Sequence, residues 1–167
     1  MRRAGYVVLA MIVSAGLLFA SEQQAADQML AFAPSDICGK LAQVKRIPFK
    51  DERVEDKTYN EIVQLGESVV PSLIECLTDL TKMREPRSAP SYDDFRVGDL
   101  AFFLLLDITK VPFEQMLPKS VRAQLPSQGV YAYFEYVENP ANRKALQKRW
   151  KSWHKKRAVG GTRPSDK

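Results

Sequence analysis

An all-α fold is predicted for this 167-residue chain, and three features predict it. Apolar residues between Ile62 and Leu77 recur at helical rather than alternating spacing. The run Val97 to Thr109 is apolar nearly all round, as a helix buried on most of its sides must be. Asn139-Pro140 opens a last segment in which Leu146, Trp150 and Trp153 fall on one helical stripe.

At the start of the chain, Arg2 and Arg3 precede an uncharged apolar run from Val7 to Ala20, and the chain turns polar at Ser21-Glu22-Gln23-Gln24. A basic start, a short apolar stretch and a small residue at its exit are the parts of a secretory signal peptide. Residues 1–20 are therefore read as one, cleaved after Ala20. The run is shorter than the roughly 20 apolar residues that a spanning helix needs. An exported protein, periplasmic or secreted and soluble after cleavage, is expected. Residues 21–34 read as a polar, alanine-rich leader. Residues 35–157 read as one helical domain of ordinary size.

Within that domain, Ser35 or Asp36 is expected to cap a short helix through Ile37, Leu41 and Val44 that ends before Pro48. Lys50 to Lys57 is almost wholly charged and reads as a solvated link. Thr58 to Thr78 reads as helix, tight turn, helix. Gly66 breaks the run, and Pro71 sits in the first turn of the second helix, where its missing N–H costs nothing. Thr81 to Pro90 reads as a loop, after which Asp93 or Asp94 is expected to cap the central helix, 97–109. Pro112, Pro118 and Pro126 limit the next stretch to short helices around Glu114 to Leu117 and Ser120 to Leu125. Val130 to Val137 has the propensity of a strand, but in a helical chain a helix is preferred. Gly160-Gly161 stops the last helix, and a disordered tail is expected over residues 158–167.

The stretch Leu65-Gly66-Glu67-Ser68-Val69-Val70-Pro71-Ser72-Leu73-Ile74-Glu75-Cys76-Leu77 resembles a HEAT-type repeat: a helix, a glycine turn, then Val-Pro-x-Leu-Ile-x-x-Leu. Val97-Gly98-Asp99-Leu100-Ala101 through Leu105-Leu106-Asp107-Ile108 is similar to the helix that follows in the next unit. The likeness spans Tyr59 to Thr109 and shows at most two units. It implies a short HEAT-like helical stack in which each pair covers its neighbour's apolar face, and a protein-binding or scaffolding role.

Charge is distributed unevenly along the chain. Between Ser21 and Asn142, 13 Lys and Arg stand against 19 Asp and Glu; from Arg143 to Lys167, 10 stand against one. An acidic body with a basic end points to a charged partner, or to a basic end lying over its own acidic surface. Export directs the expectation to a protein partner and away from nucleic acid. Cys38 and Cys76 both follow residue 20, and an oxidising compartment favours a disulfide between them over two buried thiols.

Catalytic readings find little support. His154 is the sole histidine, and with two distant cysteines it supplies no zinc set. No phosphate-binding glycine loop or Gly-x-Ser-x-Gly elbow is present. Neither a metal nor a cofactor is expected. Carboxylate chemistry would use acids near Tyr92 to Asp99, or Asp107. Helix capping and ion pairing are the simpler reading of Asp93, Asp94 and Asp99, and Asp107 is expected to pair with a base or face water.

Two groups are candidates for binding. One is the aromatic set Tyr131, Tyr133, Phe134 and Tyr136, for which core packing is the favoured reading and an interface the other. The other is the last helix, where Trp150 and Trp153 lie to one side and Arg143, Lys144, Lys148, Lys151 and Lys155 largely elsewhere. There the favoured reading is a capping helix whose tryptophans seal the core while its lysines face water. The expected function is a non-enzymatic binding or scaffold protein of the cell envelope, one form being an immunity-type inhibitor of an envelope toxin. An envelope enzyme using acids near Tyr92 to Asp99 is a second reading, and a membrane-surface binder using the basic helix a third.

Overall fold

The computed structural model describes residues 34–45, 56–83 and 94–160. The expected signal peptide, the leader as far as residue 33, most of the charged link, Tyr92, Asp93 and the chain after Gly160 lie outside the described residues. Among the described residues the fold is all-α, with no strand and one isolated antiparallel bridge between Lys82 and Arg96.

Helix α1 (Pro34–Leu41) starts earlier than expected. Pro34 opens it in place of a Ser35 or Asp36 cap, because proline's fixed φ already suits a first turn. Asp36 falls inside that turn, where a carboxylate is favoured by the helix dipole. The helix stops at Leu41 and gives way to tighter turns, in which Gln43 N–H donates to the Lys40 carbonyl and Val44 N–H to that of Leu41. Those turns still bury Val44 with Ile37 and Leu41.

Asp56 caps α2 (Lys57–Gln64): its Oδ1 accepts from Tyr59 N–H at 2.9 Å. Its Oδ2 accepts from Lys45 N–H at 2.8 Å, so one carboxylate fixes the end of the first segment and the start of the second. Gly66 then turns the chain at φ +56°, a conformation that glycine adopts without a Cβ clash. A 3-10 turn (Gly66–Val69) leads into α3 (Val70–Cys76), with Pro71 in its first turn. Residues 58–78 thus form the predicted helix, turn and helix. A disulfide joins Cys38 on α1 to Cys76 on α3, with Cα atoms 5.4 Å apart, and a disulfide of this kind suggests an oxidising environment.

Helix α4 (Val97–Thr109) has the predicted bounds, but its cap differs. Asp94 is not its cap. Met83 N–H donates to the Phe95 carbonyl and Val97 N–H to that of Thr81, and this pairing holds the approach extended until Arg96. The first turn is closed from within, by Asp99 Oδ2 accepting from Arg96 N–H at 2.9 Å. Val97, Leu100, Ala101, Phe102, Leu104 and Leu105 are all fully buried, as an apolar run without a polar face requires.

The proline-rich stretch is more finely divided than expected. A 3-10 turn (Phe113–Met116) precedes α5 (Lys119–Arg122) and α6 (Leu125–Gln128), where helices near Glu114 to Leu117 and Ser120 to Leu125 were predicted. Pro118 starts one short helix and Pro126 lies in the first turn of another, so a single helix across both is replaced by two. Tyr131 to Val137 is helical as preferred, within α7 (Tyr131–Glu138), and Val130 stands just before it at the cap position. Helix α8 (Pro140–Gly160) follows, with Asn139 Oδ1 accepting from Ala141 N–H at 2.9 Å. Residues 158–160, expected in the tail, belong to this helix.

The core forms where α4 meets α3, α7 and α8. Phe102 stacks on Tyr133 with ring centres 4.5 Å apart, and Trp150 meets Phe102 edge-on at 6.4 Å. Among the described residues no helix is long and apolar enough to cross a membrane.

Candidate functional site

Helix α8 has two sides with different chemistry. Leu146 and Trp150 are buried, Trp153 packs half-buried against Trp150, and all three face the core. The Gln147 amide donates to the Ile74 and Glu75 carbonyls at 3.0 and 3.1 Å, and Arg149 donates to the Met116 carbonyl at 2.9 Å. Farther along, Lys151 Nζ lies 2.8 and 2.9 Å from the two oxygens of Glu75. Arg157 pairs with Glu67 at 2.9 Å and covers the Trp153 ring at 5.3 Å. Both acids come from the segment spanning the Gly66 turn and α3.

The opposite side carries Lys144, Lys148, Lys151 and Lys155, all exposed. At 3.6 residues per turn, these positions fall within about 60° of the helix circumference and span about 16 Å along its axis. They make a ridge of one sign of charge, on a helix whose other flank is locked.

The lock at the start of α8 was not foreseen. Arg143, read from sequence with the solvated lysines, is only 2 % exposed and pairs with fully buried Asp99 of α4. Arg143 Nη1 donates to Asp99 Oδ1 at 2.8 Å and Nη2 to Oδ2 at 3.2 Å. Tyr133 Oη donates to the same Oδ1 at 3.0 Å, and Arg96 N–H supplies the fourth hydrogen bond. A buried carboxylate is tolerable when its lone pairs are met in this way. Gly98 makes room for the arrangement: a Cβ there would lie 2.6 Å from the Leu77 carbonyl oxygen and 3.0 Å from Arg143 Nη1. Two signals in the sequence bear on this pair. Asp99 is a charge in an apolar helix and needs a partner, and Arg143 precedes Leu146 and Trp150 by three and seven residues, on their stripe.

The predicted binding residues separate into two groups. Tyr133 and Trp150 are core residues: both are completely buried, because the rings that offered contact area fill the space around Phe102. Phe134 is buried with them. Tyr131 is 37 % exposed. Tyr136 is half-buried, and burial pushes its phenol above the ordinary tyrosine value while Arg149 pulls the other way. Of the last-helix candidates, Lys148 and Lys151 are exposed on the ridge, and Trp153 is half-covered.

The acids do not gather. Tyr92 and Asp93 lie outside the described residues; Asp94 grips the Arg96 guanidinium and lies 4.0 Å from Lys82. Asp99 is taken by Arg143, and Asp107 accepts from the Tyr59 hydroxyl at 3.2 Å. Among the described residues no group of three His, Cys, Asp or Glu is placed to hold a metal ion. An open apolar cleft of about 280 Å³ lies between Phe103, Phe113, Leu125, Gly129 and Val130. No protein-family model, curated protein or solved structure matches the chain.

Proposed function

We propose that this is an exported, non-catalytic binding protein built as a short HEAT-like stack, with the outward face of α8 as its contact surface. The observation that carries the reading is the division of α8 into a locked apolar flank and an exposed ridge of four lysines. The Gly66 turn and the first-turn Pro71, followed by α4, support the HEAT-like description. The disulfide supports an oxidising, extracytoplasmic location. Membrane binding through α8 is the weaker reading. An interfacial helix inserts its apolar face, and here Leu146 and Trp150 of that face are committed to the core. Enzymatic use of the acids near Asp99 is also weaker, because Asp94 and Asp99 each serve an ion pair.

The test is site-specific photocrosslinking in the native host, with the crosslinker at position 148 or at exposed position 122 on α5. A single protein captured from 148 and absent from 122 is expected. Equal capture from both positions, or none from either, removes the reading. Export is tested on the same material by the mature N-terminus: a start at Ser21 is expected, and a retained Met1 overturns it.

A further inference from the structure

We infer that the lysine ridge receives an acidic helix of a partner protein, and that Glu75 acts as a built-in competitor for one position on it. This rests on the reading of α8 as the contact surface. Two observations specify the partner. The first is that the chain already holds this helix with carboxylates: Glu75 places both oxygens on Lys151, at 2.8 and 2.9 Å, and Glu67 meets Arg157 at 2.9 Å. Gln147 sits 3.4 Å from the same Glu75 carboxylate and steadies it. Lys144, Lys148 and Lys155 share the arc with Lys151 and have no hydrogen bond or ion pair among the described residues. Three of the four ridge ammoniums are thus open to the ligand chemistry that the fourth already shows.

The second observation is the spacing. The four lysines stand at intervals of four, three and four residues. A helix lying alongside, with Asp or Glu at the same intervals, brings one carboxylate to each ammonium. The interval pattern is the same in both directions, so parallel and antiparallel partners fit equally. An extended segment fits worse, because its same-side residues recur at one fixed step of about 6.7 Å. The ridge alternates between steps of about 6 and about 4.5 Å. Lysine ammoniums act as point charges and suit single carboxylates. Exposed pairs are individually weak and are screened by salt, so the complex is expected to be fast, weak and strongly salt-dependent.

The experiment uses the mature protein and a labelled alanine-based helical peptide with Glu at positions i, i+4, i+7 and i+11, read by fluorescence anisotropy at low salt. Two control peptides accompany it: one with Gln at the same positions, and one with the four Glu dispersed around the helix. The in-register Glu peptide is expected to bind at least about tenfold tighter than either control and to lose most of its affinity by 0.5 M salt. Lys144→Gln/Lys148→Gln/Lys155→Gln abolishes binding while leaving the helical circular dichroism unchanged. Glu75→Gln frees Lys151 and tightens binding by about two- to threefold. Equal binding of the dispersed-Glu peptide, or stronger binding to phosphatidylserine vesicles than to the peptide, overturns the inference. So does an affinity for the in-register peptide that Glu75→Gln weakens. If crosslinking from position 148 still captures a protein while the peptide fails, the partner is of another kind and the binding-protein reading stands without this one. If both fail, the contact surface itself is wrong.

Discussion

The two ends of α8 are held to the body by similar pairs of charges in opposite surroundings. Near its start, Arg143 and Asp99 are 2 % and 0 % exposed. Farther along, Lys151 and Glu75, like Arg157 and Glu67, are about half exposed. Water solvates the exposed charges whether or not they meet, so each such pair contributes little. Inside, each charge of the Arg143–Asp99 pair depends on the other, and removing one leaves its partner stranded. Burial, more than pairing, therefore decides which contact fixes the helix. The buried end is a structural anchor, and the exposed end leaves its charges free to exchange partners.

Asp99→Ala tests the comparison hardest. It is expected to lower the unfolding free energy by about 3–5 kcal/mol, measured by urea denaturation, because Arg143 keeps its charge and loses its acceptor. The double variant Asp99→Ala/Arg143→Met is expected to be less damaged than the single one. A loss below about 1 kcal/mol would put the buried pair in the same class as the exposed ones and end the contrast.

Next in size comes Cys38→Ala/Cys76→Ala, which removes the covalent tie between α1 and α3. The two cysteines are 38 residues apart in sequence, and chain entropy for a loop of that size sets the expected loss at about 2–4 kcal/mol. Calorimetry without reductant checks it; a melting temperature equal to that of the native protein would mean that the bridge adds nothing to the anchored end.

Gly98→Ala probes the anchor sterically. The added methyl meets the Leu77 carbonyl at 2.6 Å, so α3 and α4 must part at the site where Arg143 enters. A loss of about 1–3 kcal/mol in the urea midpoint analysis is expected. Retained stability would mean that the junction relaxes more easily than its contacts imply.

Tyr59 and Asp107 supply an intermediate case, one partner buried and the other exposed. Burial first, then the charge and hydrogen bond of Asp107, raise the Tyr59 pKa above its ordinary value near 10. In alkali the unfolded chain loses this proton before the folded one does. The contribution is complete below about pH 10 and falls as pH rises beyond that. The stability gap between native protein and Tyr59→Phe should therefore narrow by about 1 kcal/mol from pH 8 to pH 11. A gap that widens contradicts the assignment. Lys151→Ala is expected to have the smallest effect, under about 1 kcal/mol and vanishing in high salt. A larger, salt-insensitive loss would show that the exposed end is an anchor too.

What the sequence disclosed follows the same division between local and distant causes. The Gly66 turn, the first-turn Pro71 and the bounds of α4 are set by neighbours along the chain, and their patterns are legible. Arg143 belongs with Asp99, 44 residues away; a basic residue among lysines looks solvated until its helix is docked. Trp150 and Tyr133 were ambiguous for a related reason, since an aromatic ring suits a core and a contact surface equally. Which one it fills depends on what packs opposite, here Phe102. The start of α1 moved because proline replaced the acidic cap, and α4 kept its start but is held there by a backbone bridge and by Asp99 in place of an Asp94 cap. On the candidate surface, the four-lysine periodicity was present in the sequence, but whether the tryptophan side was free or covered required the fold.

The bond between Cys38 and Cys76 also closes part of the backbone into a covalent ring. That ring contains α2, the Gly66 turn and all of α3, and with them both Glu67 and Glu75. A single cut anywhere between the two cysteines opens the ring without releasing either piece. Such nicked protein would migrate as one species without reductant and as two after reduction, so a single cut within the ring cannot strip the acidic grip from α8.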